Sequence, residues 1–235
     1  MKNKVKTKSL LAFIFFIILL VPTLSGCDAK KIDSLSKTND CVYIYEEFSH
    51  GEVPYDIVSN DYDGKVLLVR HEDFVAPTNV GSLFSFYEDS DIDKYLNGDF
   101  LNTLGDLSKN IQETTITITK QESLGISKTE TKEISRKIFL LSMSEIGYSN
   151  GNKDIVGVVP DEGKKINAEQ NAKLQNYRGW TRTPNTLSST ETYFIDKNGK
   201  PISVETTNKM AFRPAFCLEK GTKINKVNDK YYIEK

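Results

Sequence analysis

The side chains best suited to chemistry in this sequence are one tryptophan and two arginines. An indole ring such as that of Trp180 can stack on a sugar ring, and guanidinium groups such as those of Arg182 and Arg213 donate hydrogen bonds to sugars and anions. The same side chains could instead fill the core, with the arginines satisfying buried carbonyls or carboxylates. The sequence therefore offers Trp180, Arg182 and Arg213 as possible ligand-binding residues, with a structural role as the alternative.

The candidates for acid–base catalysis are the two histidines. His50 lies near Glu52, and His71 is followed by Glu72 and Asp73. A histidine beside a carboxylate can act as a general base, but 32 of the 235 residues are acidic, so such neighbours are expected by chance. The chain has no G-x-x-x-x-G-K-[ST], G-x-S-x-G or H-E-x-x-H motif. We therefore expect no catalytic residues and a non-catalytic protein.

The composition excludes several other classes of function. With 31 basic and 32 acidic residues the net charge is −1, which gives no positive field for nucleic acid. Three cysteines and two histidines are too few for a disulfide scaffold or a multi-histidine metal centre. Asn228-Asp229 alone is typical of a turn, not of a calcium site. We expect no metal, no cofactor and no nucleic-acid partner.

The N-terminus predicts a lipid anchor. Four lysines within the first eight residues precede the apolar run Leu10–Val21, which is too short to span a bilayer comfortably. Leu24-Ser25-Gly26-Cys27 follows and is similar to a bacterial lipobox. That resemblance implies a lipoprotein signal peptide, cleavage before Cys27, and lipidation of Cys27 by acyl chains such as palmitate. The alternatives are an uncleaved anchor or a plain secretory signal that ends in a chance cysteine.

The rest of the chain predicts one extracytoplasmic domain. We assign residues 1–26 to the signal peptide, and the polar residues 27–40 to a lipidated tether. Residues 41–235 are long enough for one α+β domain with a single core. The protein is thus expected at the cell membrane, facing the outside of a bacterial cell.

Turn and cap signals predict the elements of this domain. Asp63-Gly64, Asn198-Gly199 and Asn228-Asp229 each separate two apolar segments and predict hairpins. Ser90-x-x-Asp93 predicts a helix start, Asn97-Gly98 predicts its end, and a second short helix follows. Residues 114–119 alternate and predict a strand, while residues 137–142 indicate a buried one. Two short helices among antiparallel strands predict an α+β fold.

Several segments together resemble a known family. They are Gly51–Val58 with Gly64–Val69, Asp89–Asn102, Lys137–Ser142, Gly179–Pro184 and Ala211–Phe216. They are similar to a bacterial surface domain of unknown function, number 6273 in that series, and more distantly to C-type-lectin-like and formylglycine-generating-enzyme folds. The resemblance implies a C-type-lectin-like, sulfatase-modifying-factor-like arrangement of antiparallel sheets. Because Trp180, Arg182 and Arg213 lie in its signature segments, it favours their structural role.

The resemblance also bears on function. It implies a membrane-anchored binding module for a carbohydrate, a wall polymer or a protein. The alternatives are a cell-envelope enzyme on a formylglycine-generating-enzyme-like scaffold and a structural or assembly subunit. Formylglycine-generating enzymes depend on a pair of cysteines near the C-terminal end, where this chain has only Cys217. That difference argues against their oxidase chemistry here.

A disulfide between Cys41 and Cys217 is a further implication of the resemblance. In lectin-like folds the chain ends meet in one sheet, which would bring these two residues together. The extracytoplasmic compartment permits such a bond. The alternative is two separate buried thiols, which act as small apolar side chains.

Overall fold

Three β-sheets make up most of the computed structural model, which describes residues 33–38, 41–76, 81–83, 85–123, 129–155, 157–163, 166 and 172–234. The strands are β1 (Asp33–Ser34), β2 (Val42–Glu46), β3 (Gly51–Tyr62), β4 (Lys65–Arg70), β5 (Thr114–Thr119), β6 (Thr131–Arg136), β7 (Ile138–Phe139), β8 (Gly179–Pro184), β9 (Glu191–Ile195), β10 (Pro201–Glu205), β11 (Ala215–Leu218), β12 (Lys223–Val227) and β13 (Lys230–Ile233). The helical elements are α1 (Asp91–Tyr95), a π turn (Leu96–Phe100), α2 (Leu101–Thr103) and 3-10 turns at Leu35–Lys37, Gly105–Lys109, Gln121–Ser123 and Ala172–Leu174. No helix within these ranges is long and apolar enough to cross a membrane.

The largest sheet has eight strands in the order β1-β12-β13-β2-β3-β4-β11-β7. Its pairs are antiparallel except β13 with β2, which run parallel. The other sheets are β10-β9-β8 and the hairpin β5-β6. The fold is therefore mostly β.

The three predicted hairpins are confirmed. Asp63 and Gly64 connect β3 to β4 with φ of 52° and 76°, and Asn228 and Asp229 connect β12 to β13 with φ of 48° and 63°. Gly199, between β9 and β10, has φ of 72°. These left-handed conformations suit Gly, Asn and Asp, and their twist matches that of the flanking strands.

The helical segment differs from the sequence prediction. Ser90 caps α1 as expected, because its Oγ accepts a hydrogen bond from the amide of Asp93 at 3.3 Å. The predicted end at Asn97-Gly98 is wrong, since the chain continues through the π turn into α2. The Asn97 side chain donates to the Ile138 carbonyl at 2.9 Å and accepts from the Ile138 amide at 3.1 Å. These bonds join the turn to β7. The two short helices that were predicted separately thus form one continuous helical segment.

The domain begins earlier than predicted. β1 pairs with β12, and the Leu35 amide donates to the carbonyl of Thr222 at 2.7 Å. The Leu35 side chain is fully buried in the core, which stabilises this attachment. Residues 33–38 therefore belong to the folded domain and not to the tether that the sequence predicted over 27–40.

The strand predicted over residues 137–142 is shorter than expected. Only Ile138 and Phe139 pair, with β11, and the chain then leaves the sheet. Leu140, Leu141 and Ser142 are nevertheless buried. Their apolar character reflects burial, which a short run cannot distinguish from strand pairing.

Candidate functional site

Arg182 lies at the centre of a buried polar cluster. It forms a bidentate ion pair with Glu145, with N–O distances of 2.6 and 2.8 Å, and neither side chain is exposed. Its other hydrogen bonds go to the carbonyls of Thr117 at 2.9 Å, Leu140 at 2.7 Å and Glu162. All the donors of the guanidinium group are thus used inside the protein. This corrects the ligand-binding interpretation of Arg182, because no donor remains for an external ligand.

A second acid, Glu162, completes this cluster. Its carboxylate accepts hydrogen bonds from the Thr119 amide at 2.6 Å and from the hydroxyls of Thr119 and Thr183. Burial raises the pKa of Glu162 to about 7, although Arg182 and these hydrogen bonds act in the opposite direction. The cluster therefore holds two carboxylates and one guanidinium out of water.

Trp180 and Arg213 are also interior residues. Each is 3% exposed. The Trp180 amide donates to the Ala211 carbonyl at 2.9 Å, which ties β8 to the segment before β11. Arg213 donates to the Arg70 carbonyl at 2.5 Å and to Asp56 at 2.9 Å, and its guanidinium lies over the Tyr177 ring. These positions favour the structural role over the binding role for both residues.

The predicted disulfide is not formed. Cys41 and Cys217 are both free thiols. Cys41 precedes β2, whereas Cys217 lies in β11, and β3 and β4 separate these strands. Three strand spacings amount to about 14 Å, well beyond the Cα separation that a disulfide allows. The chain ends do meet in one sheet, but β13, not β11, lies beside β2. Cys27, the predicted lipidation site, lies outside the described residues.

His71 contacts a carboxylate that its position in the sequence does not reveal. Its Nδ1 lies 2.9 and 3.0 Å from the two oxygens of Asp56, and Arg213 holds one of those oxygens from the interior. The His71 side chain is 58% exposed, while that of Asp56 is 11% exposed. The acids next to His71 in the chain are not its partners. Antiparallel pairing of β3 with β4 supplies the contact instead.

A groove of about 670 Å³ lies at the ends of β2 and β13, and we call it the tyrosine groove. Residues 103–107 and Asn110 form its other side. Its aromatic and acidic lining consists of Tyr43, Tyr45, Tyr232, Glu47, Glu52, Asp106 and Glu234. Its apolar lining consists of Ile44, Leu104, Leu107 and Ile233. Such a combination of rings, apolar side chains and a few polar groups is typical of ligand sites.

Strand pairing explains how the groove brings its rings and acids together. Tyr43 lies opposite Tyr232 of β13, and their ring centroids are 6.0 Å apart. Tyr45, which is 58% exposed, lies opposite Glu52 of β3. Glu234 directly follows β13 and lines the groove together with Tyr45 and Glu52. The Tyr45 ring and these two acids therefore share one groove.

No local pattern in the sequence predicts this groove. Residues 41–45 and 230–234 are rich in aromatic and β-branched side chains and favour strands, but nothing in either segment indicates that they are adjacent. The alternation of tyrosine with valine and isoleucine in β2 was the available signal, since it separates an exposed aromatic face from a buried one.

Comparison with known proteins identifies a family but no activity. A family model described as a domain of unknown function (DUF6273) matches residues 63–220, about two-thirds of the chain. No curated protein and no solved structure matches the chain. The matched residues include the Arg182 cluster and the β4–β11 pair, whereas β2, β13 and most of the tyrosine groove lie outside them. On the extent of this match, the chain belongs to the DUF6273 family.

Proposed function

We propose that this protein is a bacterial surface lipoprotein, anchored in the cell membrane through Cys27, whose domain is a non-catalytic binding module for a carbohydrate polymer of the cell envelope. The tyrosine groove is the observation that carries the binding half of the proposal. The anchoring half rests on the order of lysines, apolar run and lipobox at the N-terminus. The C-type-lectin-like resemblance of the signature segments agrees with a binding module and stays part of the proposal.

The chemistry of the groove suits a sugar. Tyrosine rings offer flat apolar faces on which the C–H face of a pyranose can lie, with little side-chain entropy to lose. Carboxylates such as that of Glu47 accept hydrogen bonds from hydroxyl groups, and amides such as that of Asn110 can both accept and donate them. A protein partner would need a larger apolar surface than the few exposed side chains near this groove provide.

The test of binding uses residues 28–235 and purified cell-wall and glycan fractions. Tyr45 is 58% exposed, so Tyr45→Ala should leave the fold intact while weakening retention by about tenfold, as expected for one lost stacking contact. Leu187 is 59% exposed and lies outside the groove, so Leu187→Ala is the matched control. Equal retention of the two variants, or no retention of the wild type on any fraction, would contradict the proposal.

The test of anchoring uses the full chain in a bacterial host. Wild-type protein should partition with membranes and carry acyl chains on an N-terminal Cys27, because each buried CH₂ of those chains contributes about 0.8 kcal/mol to membrane binding. Cys27→Ser should yield an uncleaved precursor or released protein. Normal mass and normal membrane retention of that variant would exclude lipid anchoring.

A cell-envelope enzyme is the second candidate, and the His71–Asp56 contact favours it. A carboxylate on Nδ1 orients the ring and leaves Nε2 able to take a proton. Pro54 pairs with Tyr43, and the His71 amide bonds to the Pro54 carbonyl, so His71 lies about 10 Å from Tyr43 across the same sheet. Cleavage of wall fractions by the wild type and its loss in His71→Gln would establish this candidate.

A further inference from the structure

The charged residues that line the tyrosine groove are all acidic. Its lining includes four carboxylates, those of Glu47, Glu52, Asp106 and Glu234, and none of the described residues that line it is basic. Two of these acids are neutralised from outside the lining, since Asp106 pairs with Lys109 at 2.8 Å and Glu52 lies 3.6 Å from Lys230. Glu47 and Glu234 have no cationic partner among the described residues.

The protein itself places an ammonium group against this aromatic and acidic surface. The Nζ of Lys230 lies 4.3 Å from the centroid of the Tyr43 ring and 3.6 Å from an Oε of Glu52. Tyr232, which lies opposite Tyr43 on β13, donates a hydrogen bond from its hydroxyl to the same Glu52 carboxylate at 2.9 Å. A cation over an aromatic face with a carboxylate beside it is stabilised by both groups.

Tyr45 offers a second aromatic face beside acids, and none of the lysines in the described part of the chain lies over its ring. Glu52 lies opposite Tyr45 on β3, Glu47 follows Tyr45 by two residues, and Glu234, just after β13, lines the same groove. The ring is 58% exposed, so an incoming cation would contact its face without displacing a side chain of the core. The bound cation would then give Glu47 and Glu234 the counter-charge that no described residue provides.

We infer that the ligand of the tyrosine groove is a glycan that carries free amino groups, with an ammonium seated between Tyr45 and the carboxylates of Glu47 and Glu234. This inference rests on the proposed function, because it names the class of sugar that the groove takes. The apolar lining contacts the sugar ring, and the unpaired carboxylates select the charged amine over its acetylated form. Acetylation removes the charge and leaves both acids without a partner, which disfavours the neutral sugar.

The test compares two oligosaccharides with the same backbone: β-1,4-linked glucosamine hexamer, and its fully N-acetylated form. Under mildly acidic conditions that keep ordinary Glu side chains ionised, the amino form should bind residues 28–235 at least about tenfold more tightly. Added salt should reduce this preference, since it screens partly exposed charges.

Three variants separate charge from stacking. The double variant Glu47→Gln and Glu234→Gln should bring the two affinities to within about threefold, because it weakens binding of the amino oligomer far more than binding of the acetylated one. Tyr45→Ala should weaken binding of both oligomers. Glu205→Gln, which removes an exposed acid on β10, should behave as the wild type.

The outcomes distinguish the inference from the proposed function. Equal binding of the two hexamers that Tyr45→Ala abolishes would overturn the inference and leave the groove as a glycan site. Binding that survives Tyr45→Ala would overturn the groove as the site and the inference with it. If neither hexamer binds but the protein still binds a wall fraction, the inference that the ligand is an amino sugar is overturned. The proposed binding function would then stand.

Discussion

Arg182 and Glu145 form a bidentate ion pair in which neither side chain is exposed, although 37 residues separate them in the chain. The pair joins β8 to the segment that follows β7, and Tyr62 of β3 donates its hydroxyl to the same carboxylate. Three parts of the fold thus meet at one acid. The buried charges are matched and fully hydrogen-bonded, the condition under which such pairs persist in a core.

Removing one partner of this pair should destabilise the domain strongly. Glu145→Gln leaves the Arg182 charge buried without a full counter-charge, which costs about 3–5 kcal/mol in the free energy of unfolding. Urea denaturation of residues 28–235 measures this loss. Lys109→Ala, which breaks the exposed pair with Asp106, is the control and should change the free energy by less than about 0.5 kcal/mol. Similar losses in the two variants would contradict the account of the cluster.

Gly163 should be sensitive to the smallest side chain. A Cβ at this position would lie 2.5 Å from Cγ and Oε1 of Glu145, which Arg182 holds in place. We therefore expect Gly163→Ala to lower the free energy of unfolding by about 1–3 kcal/mol through overpacking. At Gly221 an added Cβ meets nothing within 4 Å, so Gly221→Ala should be close to neutral. A stable Gly163→Ala protein would show that Glu145 can move.

Glu162 should make the domain less stable as pH rises from about 4.5 to 7. Burial raises the pKa of its carboxyl from 4.5 to about 7 in the folded protein, so the native state binds this proton more tightly than the unfolded chain does. The stabilisation is complete below about pH 4.5 and is lost as pH approaches 7. A shift of this size corresponds to about 3 kcal/mol.

Glu162→Gln isolates this contribution. The difference in unfolding free energy between wild type and variant, measured by urea denaturation, should change between pH 5 and pH 7.5 by an amount of that order. The wild type loses stability over this interval relative to the variant. Parallel pH profiles of the two proteins would show that Glu162 keeps one charge state throughout.

The two thiols of the domain should differ in reactivity. Burial raises the pKa of Cys217 to about 12, so almost none of it is thiolate at neutral pH. Cys41 is only partly buried. In residues 28–235 without Cys27, one thiol should react with an alkylating reagent in the native state and the second only after unfolding. If both thiols react only after reduction, the disulfide between Cys41 and Cys217 does form.

The sequence was most informative where structure is local. Asp63-Gly64 and Asn228-Asp229 adopt the left-handed turns that their residue types predict, and Ser90 caps the helix that it was predicted to start. In each case the signal and its effect lie within a few residues, so no tertiary contact is needed to interpret them.

The errors arose where a distant contact overrides a local preference. Asn97-Gly98 is typical of a helix end, but the helical segment continues past it. Asn97 is instead hydrogen-bonded to Ile138, 41 residues away. Leu35 lies in a polar segment typical of a tether and is nevertheless held by the core. The tyrosine groove depends on the parallel pairing of β2 with β13, between the first and last parts of the domain. A single sequence contains no local signal for such pairing.

The position of β1 determines how the domain would respond to mechanical force. In a chain held at Cys27 by the membrane and at the tyrosine groove by a wall polymer, tension would run from β1 through β12 and β13 to β2, because these strands are neighbours in the sheet. The Arg182 cluster would carry none of it. β1 has only two paired residues, so extraction of Leu35 would be the first event and would free a chain of about 25 Å extended length between Asp33 and Cys41. The attachment that shortens the tether at rest would then act as an extensible link that spares the groove.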